Sequence, residues 1–576
     1  MKLTLFAPIL CVSIAAAQTI SPHVLTPKSG KTANVIVQYR EANEEALNAR
    51  VRSLGRAVKQ SHAEVGMLSV SATAEELEAL AADPSVEYVT PDRPVQGSIE
   101  SGRKAANTQQ LLTSGYSGNG IGVAIIDSGV NDQADLRDGG TRIIYSQTFV
   151  GGTATDGFGH GTHVAGIVAG SGAMSTGTAY SATVAGIAPR VNIVNLKVLD
   201  NTGVGSDSSV IAGINRAIQL RGQYNIRIIN LSLGRQIFES YKRDPLCQAV
   251  AAAWKAGIVV VVAAGNNGRN NDFGTNGYGT ISSPGNSPYV ITVGAMKTQD
   301  TPSRADDEIA TYSSKGPTMI DRIVKPDIVA PGNLIVSVMA ANNYLANNYP
   351  TTRVMTSAYK TNGSTTTPSN DYLLLSGTSM ATPMVTAAAA MLIQRDNSMT
   401  PDQIKSRLMK TASKSLRSPY AWMDSATCQT YSPQNDIFTV GAGYLDVAAA
   451  MANNDKTSRS ALSPYVVYDP ATKRVKLRID TITGTNVVWG ENVVWGTNIV
   501  WGTNVVWGEN VVWGESTVGG FNVVWGESSP YSATALGAKN VTPFSVLTVG
   551  EPIAGTAPSA PGSNLMTTAC SANSLI

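Results

Sequence analysis

The pattern of apolar and polar positions divides the chain into a small N-terminal unit, a long central region and a polar C-terminal region. In the N-terminal unit, strand-like and helix-like patterns alternate. The strands are predicted at ANVIVQY (33–39), AEVGMLSVSA (63–72) and VEYVTPDRPV (86–95), and the helices at EEALNARVRSL (44–54) and AEELEALAADP (74–84). Thr73, with Glu76 three positions later, is typical of a capping box at the start of the second helix. This order predicts a small α+β unit of the split βαβ type.

The central region alternates apolar strand patterns with helical ones between residues 120 and 450. The strands are predicted at 121–126, 191–198, 226–233, 258–264 and 289–294, with helical patterns such as HGTHVAGIVAG and SSVIAGINRAIQLRG between them. Most of these runs are almost continuously apolar, as expected for strands that are covered on both faces. We therefore predict an α/β domain with a doubly wound, mostly parallel sheet.

The C-terminal region contains a six-residue repeat, NVVWG followed by Thr or Glu, over residues 486–527. It holds six of the eight tryptophans in the chain. Because six is an even number, an extended chain would place every tryptophan on one side; alternatively, the glycines mark turns between short Val-Val-Trp strands. Two interpretations stay open, a β-prone segment without a function of its own and a surface for docking or self-association.

Charge and the N-terminal residues narrow the class of protein. The formal net charge is only +2, which gives no indication of a nucleic-acid partner. The start, MKLTLFAPILCVSIAAAQ, is typical of a secretory signal peptide over residues 1–17, and no later run is apolar for long enough to span a membrane. Of the four cysteines, Cys11 lies in this predicted signal peptide, and Cys247, Cys428 and Cys570 cannot all pair internally. We therefore expect no disulfide scaffold, and the pairing of these three stays open.

Residues that could take part in catalysis follow the predicted strands. Asp127 ends one apolar run and Asn266 follows another, and sites in open α/β sheets form at the carboxyl ends of strands. The central region has only two histidines, His160 and His163, both in GHGTHVAG. A metal site would need a third ligand nearby, and no HExxH pattern is present, so we expect no metal at this pair.

Ser379 lies in a Gly-Thr-Ser turn that opens an alanine-rich helix. A single serine in this position is usually a helix cap. Together with Asp127 and His160, however, it completes a set in which a carboxylate orients a histidine and the histidine activates a serine. Asn266 could then supply the donor for the oxyanion that forms.

The central region resembles the subtilisin-like serine proteases, the subtilase family. The resemblance is carried, in order, by VAIIDSGV (123–130), GHGTHVAGI (159–167), INLSLG (229–234), AAGNNG (263–268), KPDIVAPG (325–332), SGTSMATP (376–383) and GAGYLDV (441–447). It implies that Ser379 is the nucleophile, His160 the general base, Asp127 the orienting carboxylate and Asn266 the oxyanion donor. It also implies a set of substrate-binding residues, namely Gly203, Gly205, Ser232, Leu233 and Gly234 on two rims and Ala263, Ala264 and Gly265 in a pocket wall.

The sequence patterns and the resemblance together predict the division of the chain. We expect a signal peptide (1–17), an inhibitory propeptide (18–98), a catalytic domain (99–455), a linker (456–485), the repeats (486–527) and a C-terminal tail (528–576). Catalysis should need no cofactor. Structural calcium stays open, because the loop 171–184 lacks a clear ligand set and Asp135 is spaced one residue short. The polar insert at 340–371 has no assigned shape.

We therefore predict a secreted serine endopeptidase that is made as a zymogen and processes itself. Its partners would be polypeptide substrates and its own propeptide, without nucleic acid or a membrane span. Two alternatives remain from the sequence alone. One is a peptide ligase or cyclase that uses the same acyl-enzyme on Ser379, and the other is a surface-binding protein that acts through the tryptophan repeat.

Overall fold

The structure is a computed structural model of the whole chain. It describes residues 32–39, 58–62, 66–91, 94–97, 115–270, 275–299, 304–417, 419, 422–423, 430–431, 433–469, 474–478 and 551. The signal peptide, the first predicted helix and the tryptophan repeat lie outside the described residues. The chain forms two compact units, Met1–Asp92 and Arg93–Ile576.

The first unit is an antiparallel sheet with one described helix. Its elements are β1 (Ala33–Tyr39), β2 (Val58–His62), β3 (Met67–Ala72), α1 (Ala74–Ala81) and β4 (Val86–Pro91), and the strand order is β2-β3-β1-β4. The predicted capping box is confirmed, since the backbone N–H of Thr73 donates to Glu76 Oε2 at 2.7 Å. Val35, Val37 and Leu77 belong to the apolar cluster between the sheet and α1.

The second unit contains the remaining described elements. Its strands are β5 (Pro94–Gly97), β6 (Gly122–Asp127), β7 (Ile143–Thr148), β8 (Asn192–Lys197), β9 (Val204–Ser206), β10 (Ile226–Leu231), β11 (Leu233–Gly234), β12 (Val259–Ala263), β13 (Ile291–Lys297), β14 (Glu308–Ile309), β15 (Ile328–Pro331), β16 (Ile335–Val338), β17 (Arg353–Met355), β18 (Pro368–Leu375), β19 (Trp422–Met423), β20 (Thr430–Tyr431), β21 (Tyr465–Asp469) and β22 (Arg474–Arg478). Its helices are α2 (His160–Ala169), α3 (Asp207–Leu220), α4 (Pro245–Lys255), α5 (Tyr344–Asn348), α6 (Thr378–Arg395), α7 (Pro401–Thr411) and α8 (Val447–Ala452).

The main sheet confirms the predicted α/β fold. Its strand order is β14-β13-β12-β10-β6-β8-β7, with β15 also paired to β13, and only β14 runs antiparallel. The chain places β7 and β8 on one side of β6 and β10, β12 and β13 on the other. The strand order therefore reverses at β6, and ligand sites in such sheets form at this point.

Helix α6 runs through the core of this unit. Its residues from Thr378 to Ile393 are all buried, and it packs against α2 and against β10, β12 and β13. Small alanine side chains over 387–390 allow the helix to approach the sheet closely. The first turn of α6, which carries Ser379, is thereby fixed at the carboxyl edge of the sheet.

The polar insert at 340–371, whose structure the sequence did not predict, forms a short helix and strands. It contains α5 and β17 together with part of β18, which pairs with β16 and β17. The insert also contacts the turn before α2, because the backbone N–H of Tyr344 donates to Gly157 O at 2.8 Å. The insert thus supports the segment that leads to His160.

The packed part of the chain continues past residue 455, where we predicted the catalytic domain to end. Ser463 is fully buried, and its hydroxyl donates to Asp327 Oδ1 at 2.5 Å and accepts from Lys405 Nζ at 2.8 Å. Val466 continues this packing through its backbone N–H, which donates to Arg322 O at 2.9 Å. Residues 456–466 are therefore part of the folded unit.

Two expectations about the chain as a whole can be compared with the described residues. In these ranges no helix is both long and apolar enough to cross a membrane. Cys247 is a buried free cysteine whose thiol lies 3.0 Å from Asn286 Oδ1, whereas Cys428 and Cys570 lie outside the described residues.

Candidate active site

Asp127 and His160 form a buried pair at the point where the strand order reverses. Asp127 is the last residue of β6, and its Oδ1 lies 2.5 Å from His160 Nδ1. Both residues are 0% exposed, so solvent does not compete for this contact. The carboxylate therefore fixes the orientation of the ring and its Nδ1–H tautomer, which leaves Nε2 as the atom able to accept a proton.

The turn before His160 is held by a residue that the sequence analysis missed. The carboxylate of Asp156 accepts from the backbone N–H groups of Gly159 at 2.7 Å and Thr162 at 2.8 Å, and from the hydroxyl of Ser128 at 2.8 Å. Gly159 has a φ of 104°, in the left-handed region that favours glycine. Asp156 thus binds together the end of β6 and the start of α2, which carry Asp127 and His160.

Ser379 lies in the first turn of α6 and is linked to the predicted rim residue Ser232. The Ser379 hydroxyl donates to Ser232 O at 3.2 Å, and the Ser232 hydroxyl donates to Ser379 O at 2.7 Å. Ser379 is 0% exposed. Because α2 packs against α6, the histidine and the serine lie on neighbouring helices at the same edge of the sheet.

Asn266 is oriented by Thr378, the residue directly before Ser379. The Asn266 Oδ1 atom accepts from the Thr378 backbone N–H at 2.9 Å and from its hydroxyl at 3.0 Å. The Thr378 hydroxyl in turn accepts from the backbone N–H of Gly265 at 3.1 Å. Since the amide oxygen is committed to Thr378, the Nδ2 group is the part of Asn266 that can donate elsewhere. The sequence motif contains Thr378, but its spacing alone did not reveal this role.

The two predicted rims are short strands with a third strand between them. β5 pairs antiparallel with β9 on one side and with β11 on the other. Val95 lies opposite Gly205, whereas Gln96 lies opposite Gly234 and Gly97 opposite Leu233. The structure therefore brings the rim residues together around an extended segment of the same chain.

Close packing explains the glycines of this region. A Cβ atom at Gly203, where φ is 81°, would lie 2.5 Å from the ring of Phe158. At Gly265, where φ is 105°, it would lie 2.4 Å from the hydroxyl of Ser282. Gly265 follows Ala263 and Ala264 at the end of β12, and both alanines are buried. Small residues are thus required along this stretch of the predicted pocket wall.

The rim at β11 is anchored by a buried ion network that was not predicted. The Arg235 guanidinium donates to Asp207 Oδ1 and Oδ2 at 2.9 Å each and to Asp244 Oδ2 at 3.0 Å. Both carboxylates are 0% exposed. Paired guanidinium and carboxylate groups have a defined geometry, so Arg235 joins the rim to the N-terminal ends of α3 and α4.

His163 faces away from this site. Its Nε2 lies 3.2 Å from Ile335 O and 3.3 Å from Leu373 O. Burial, together with the nearby His160, lowers the pKa of His163 to about 3. His163 therefore stays neutral at physiological pH and packs α2 against β16 and β18.

The structure gives no support to the calcium interpretation of Asp135. Its Oδ1 accepts from the backbone N–H of Met174 at 2.7 Å, and its Oδ2 accepts from the hydroxyl of Tyr372 at 2.9 Å. Within the described ranges, no three His, Cys, Asp or Glu side chains are grouped so that they could hold a metal ion. Both oxygens of the Asp135 carboxylate therefore accept hydrogen bonds from groups of the protein.

Comparison with known proteins identifies the family. The model of the subtilase family (Peptidase_S8) matches residues 118–443. The serine protease AprX of Bacillus subtilis is 34% identical over 406 residues, which cover 67% of this chain and 84% of AprX. Subtilisin E from the same species is 30% identical over 394 residues, covering 67% and 86%.

The solved structures add a likeness in fold. The crystal structure of fervidolysin from Fervidobacterium pennivorans, a keratinolytic enzyme related to subtilisin, matches with a TM-score of 0.56 at 21% identity and covers 78% of this chain and 64% of fervidolysin. The family match covers the whole main sheet together with the Asp127–His160 pair, the Asn266 loop and the Ser379 turn. The chain belongs to the subtilase family and is a subtilisin-like serine endopeptidase.

Proposed function

We propose that the chain is made as a secreted zymogen, cuts off its own N-terminal segment, and then hydrolyses polypeptides through an acyl-enzyme on Ser379. The observation that carries this proposal is the position of β5, which lies antiparallel between the two rims. Strand addition of this kind binds a peptide through its backbone and tolerates many sequences. Residues 94–97 therefore occupy the place that a substrate would take. The predicted signal peptide at 1–17 supports secretion.

The geometry supports a defined set of roles in the reaction. The Ser379 oxygen attacks the substrate carbonyl carbon, and His160 Nε2 takes the hydroxyl proton. Asp127 holds the ring and stabilises the imidazolium, while Asn266 Nδ2 donates to the oxyanion. When the C–N bond breaks, His160 gives the proton to the leaving amine. Water then attacks the acyl carbonyl carbon while His160 takes its proton; the ester bond to Ser379 breaks, and His160 returns the proton to the serine oxygen.

The covered site supports the zymogen interpretation. Asp127, His160 and Ser379 are each 0% exposed, and β5 is paired with both rim strands. A polypeptide substrate cannot pair with β9 and β11 until β5 leaves, because the backbone groups of both rim strands are already used. We infer that the N-terminal segment inhibits the enzyme until it is released.

The register of β5 predicts the self-processing bond. Gln96 pairs with Gly234 and Gly97 with Leu233, so β5 runs toward Ser232, the residue before Leu233. The Ser379 hydroxyl donates to Ser232 O at 3.2 Å, so the C-terminal end of β5 points toward the nucleophile. We therefore expect cleavage between Ser98 and Ile99, and this register supports the boundary predicted from the sequence. N-terminal sequencing of freshly secreted active protein should begin at Ile99; a start several residues away would contradict the register.

Asn266→Ala is expected to lower kcat by about 10²–10³-fold with little change in KM, a magnitude taken from the corresponding donor of subtilisin itself. The donor acts mainly on the charge that develops in the transition state, so substrate binding should be spared. The measurement is steady-state hydrolysis of a small peptide substrate by the matured enzyme.

The neighbouring Asn267→Ala variant is the matched control for this prediction. Asn267 is exposed, and its backbone N–H, which the substitution keeps, donates to the Ser314 hydroxyl at 3.0 Å. We expect its kcat to stay within about twofold of that of the unmodified enzyme. A change confined to KM in Asn266→Ala would rule out the proposed role of the amide.

A further inference from the structure

Glu551 lies far beyond the predicted catalytic domain in sequence, yet it is fully buried within the second unit. It is 0% exposed and falls after the tryptophan repeat, in the segment that we predicted as a C-terminal tail. A buried carboxylate is costly unless cations and hydrogen bonds compensate its charge. The groups around Glu551 therefore show how its charge is compensated.

Four residues of the catalytic domain bind Glu551 through hydrogen bonds and ion pairs. Arg269 Nη2 donates to Glu551 Oε1 at 2.7 Å, and Lys297 Nζ lies 3.0 Å from Oε2. The backbone N–H of Thr311 donates to Oε1 at 2.8 Å, and the Thr311 hydroxyl donates to the same oxygen. The Asn333 side chain binds the main chain of Glu551: its Nδ2 donates to Glu551 O and its Oδ1 accepts from the Glu551 N–H, each at 3.1 Å. Both the side chain and the main chain of Glu551 are thus recognised.

The charges of this pocket require an anion. Lys297 is 6% exposed on its side chain and also pairs with Glu308 at 3.5 Å, while the Arg269 side chain is 11% exposed. Without Glu551, Lys297 and Arg269 would lose the carboxylate that they share. Although burial raises the pKa of Glu551, Lys297 and Arg269 hold it down to about 2. The carboxylate is therefore charged at neutral pH and matches the pocket.

The pocket adjoins the loop that carries Asn266. Arg269 is three residues after Asn266, and the backbone N–H of Gly268 donates to Tyr312 O at 2.8 Å, next to Thr311. On the other side, Gly332, the neighbour of Asn333, accepts from the backbone N–H of Gly377 at 2.7 Å. Gly377 directly precedes Thr378, which orients Asn266. Glu551 therefore bridges the two segments that hold the candidate oxyanion donor.

We propose that Arg269, Lys297, Thr311 and Asn333 form a docking site for the chain's own C-terminal segment, with the Glu551 carboxylate as ligand, and that docking braces the Asn266 loop. The second part rests on the proposed role of Asn266. Glu551 is then an integral part of the second unit, which holds the chain before the tryptophan repeat at Ser463–Val466 and after it at Glu551.

The docking site is tested with Glu551→Gln in the full chain, which keeps the shape of the side chain and removes its charge. The background is Ser379→Ala, so that self-digestion does not affect the result and no activity is required. We expect the Tm to fall by about 5 °C or more, as breaking a buried ion pair leaves uncompensated cations. Glu527→Gln, in the last unit of the repeat, is the matched control and should leave the Tm unchanged. An unchanged Tm in Glu551→Gln would overturn the docking site.

A double-mutant cycle makes the test specific. Lys297→Met should also lower the Tm, and adding Glu551→Gln to Lys297→Met should cost less than it does alone, because the carboxylate has then lost a partner. Strictly additive effects would overturn the proposed contact. In the active chain, Glu551→Gln should lower kcat several-fold with KM unchanged. If the Tm falls while kcat stays constant, docking holds and the bracing of Asn266 is refuted.

Discussion

Ser379→Ala is expected to lower kcat for peptide hydrolysis by about 10⁶-fold and to leave residues 18–98 attached to the secreted protein. The magnitude is that known for the nucleophile of subtilisin. One hydroxyl serves both reactions in the proposed mechanism, so both should fail together. The measurements are hydrolysis of a small peptide and mass spectrometry of the intact protein.

The variant also separates chemistry from folding. Among the described residues, the Ser379 hydroxyl makes one hydrogen bond, to Ser232 O at 3.2 Å, and its loss should cost only about 1 kcal/mol of stability. The circular dichroism spectrum and the cooperative unfolding should therefore match those of the unmodified precursor. A trace of active enzyme added to the variant should still remove the N-terminal segment. Processing in a pure preparation of Ser379→Ala would show that another group makes the cut.

Much of the fold could be predicted because its signals are local. The apolar runs at β6, β8, β10, β12 and β13 are strands in the structure, as their almost continuously apolar sequences predicted. The apolar run before Asp127 predicted that this residue ends a strand, and the rule that sites form at the carboxyl ends of strands marked it as a candidate site residue. The motifs around His160 and Ser379 then predicted which helices begin at the same edge of the sheet.

The contacts that were not predicted join residues that are far apart in sequence. Nothing in residues 94–97 indicates that they pair with both β9 and β11, since that register depends on the finished rims. Glu551 lies in the predicted C-terminal tail, and nothing in the sequence around it indicates that it is buried beside Arg269. Asp156 reads as an ordinary loop residue until its three hydrogen bonds at the start of α2 are seen.

The two alternatives that the sequence left open differ in what they require. A surface-binding protein with an inert domain has no need for a histidine fixed by a buried carboxylate or an amide held by Thr378. A ligase would use the same acyl-enzyme but transfer it to an amine. Mass spectrometry of the products of a small peptide, in the presence of an added amine, distinguishes ligation from hydrolysis. Any role of the tryptophan repeat stays a prediction.

His160→Ala is expected to cost about as much activity as Ser379→Ala, again about 10⁶-fold in kcat by the value for subtilisin. His163→Ala should keep most of the activity and lose stability instead, by about 2 kcal/mol, because it leaves a cavity between α2 and β16. The two variants are compared by steady-state kinetics and by thermal unfolding.

The contrast follows from where the two rings point. His160 is held by Asp127 and presents Nε2 to the reacting groups, whereas His163 faces the carbonyls of Ile335 and Leu373. A base with a pKa of about 3 accepts a proton poorly near neutral pH. The folded pKa of His163 lies below its unfolded value near 6.5, so its stability contribution should weaken as the pH falls from about 6.5 toward 3. A larger loss of kcat in folded His163→Ala than in His160→Ala would reverse the assignment of the base.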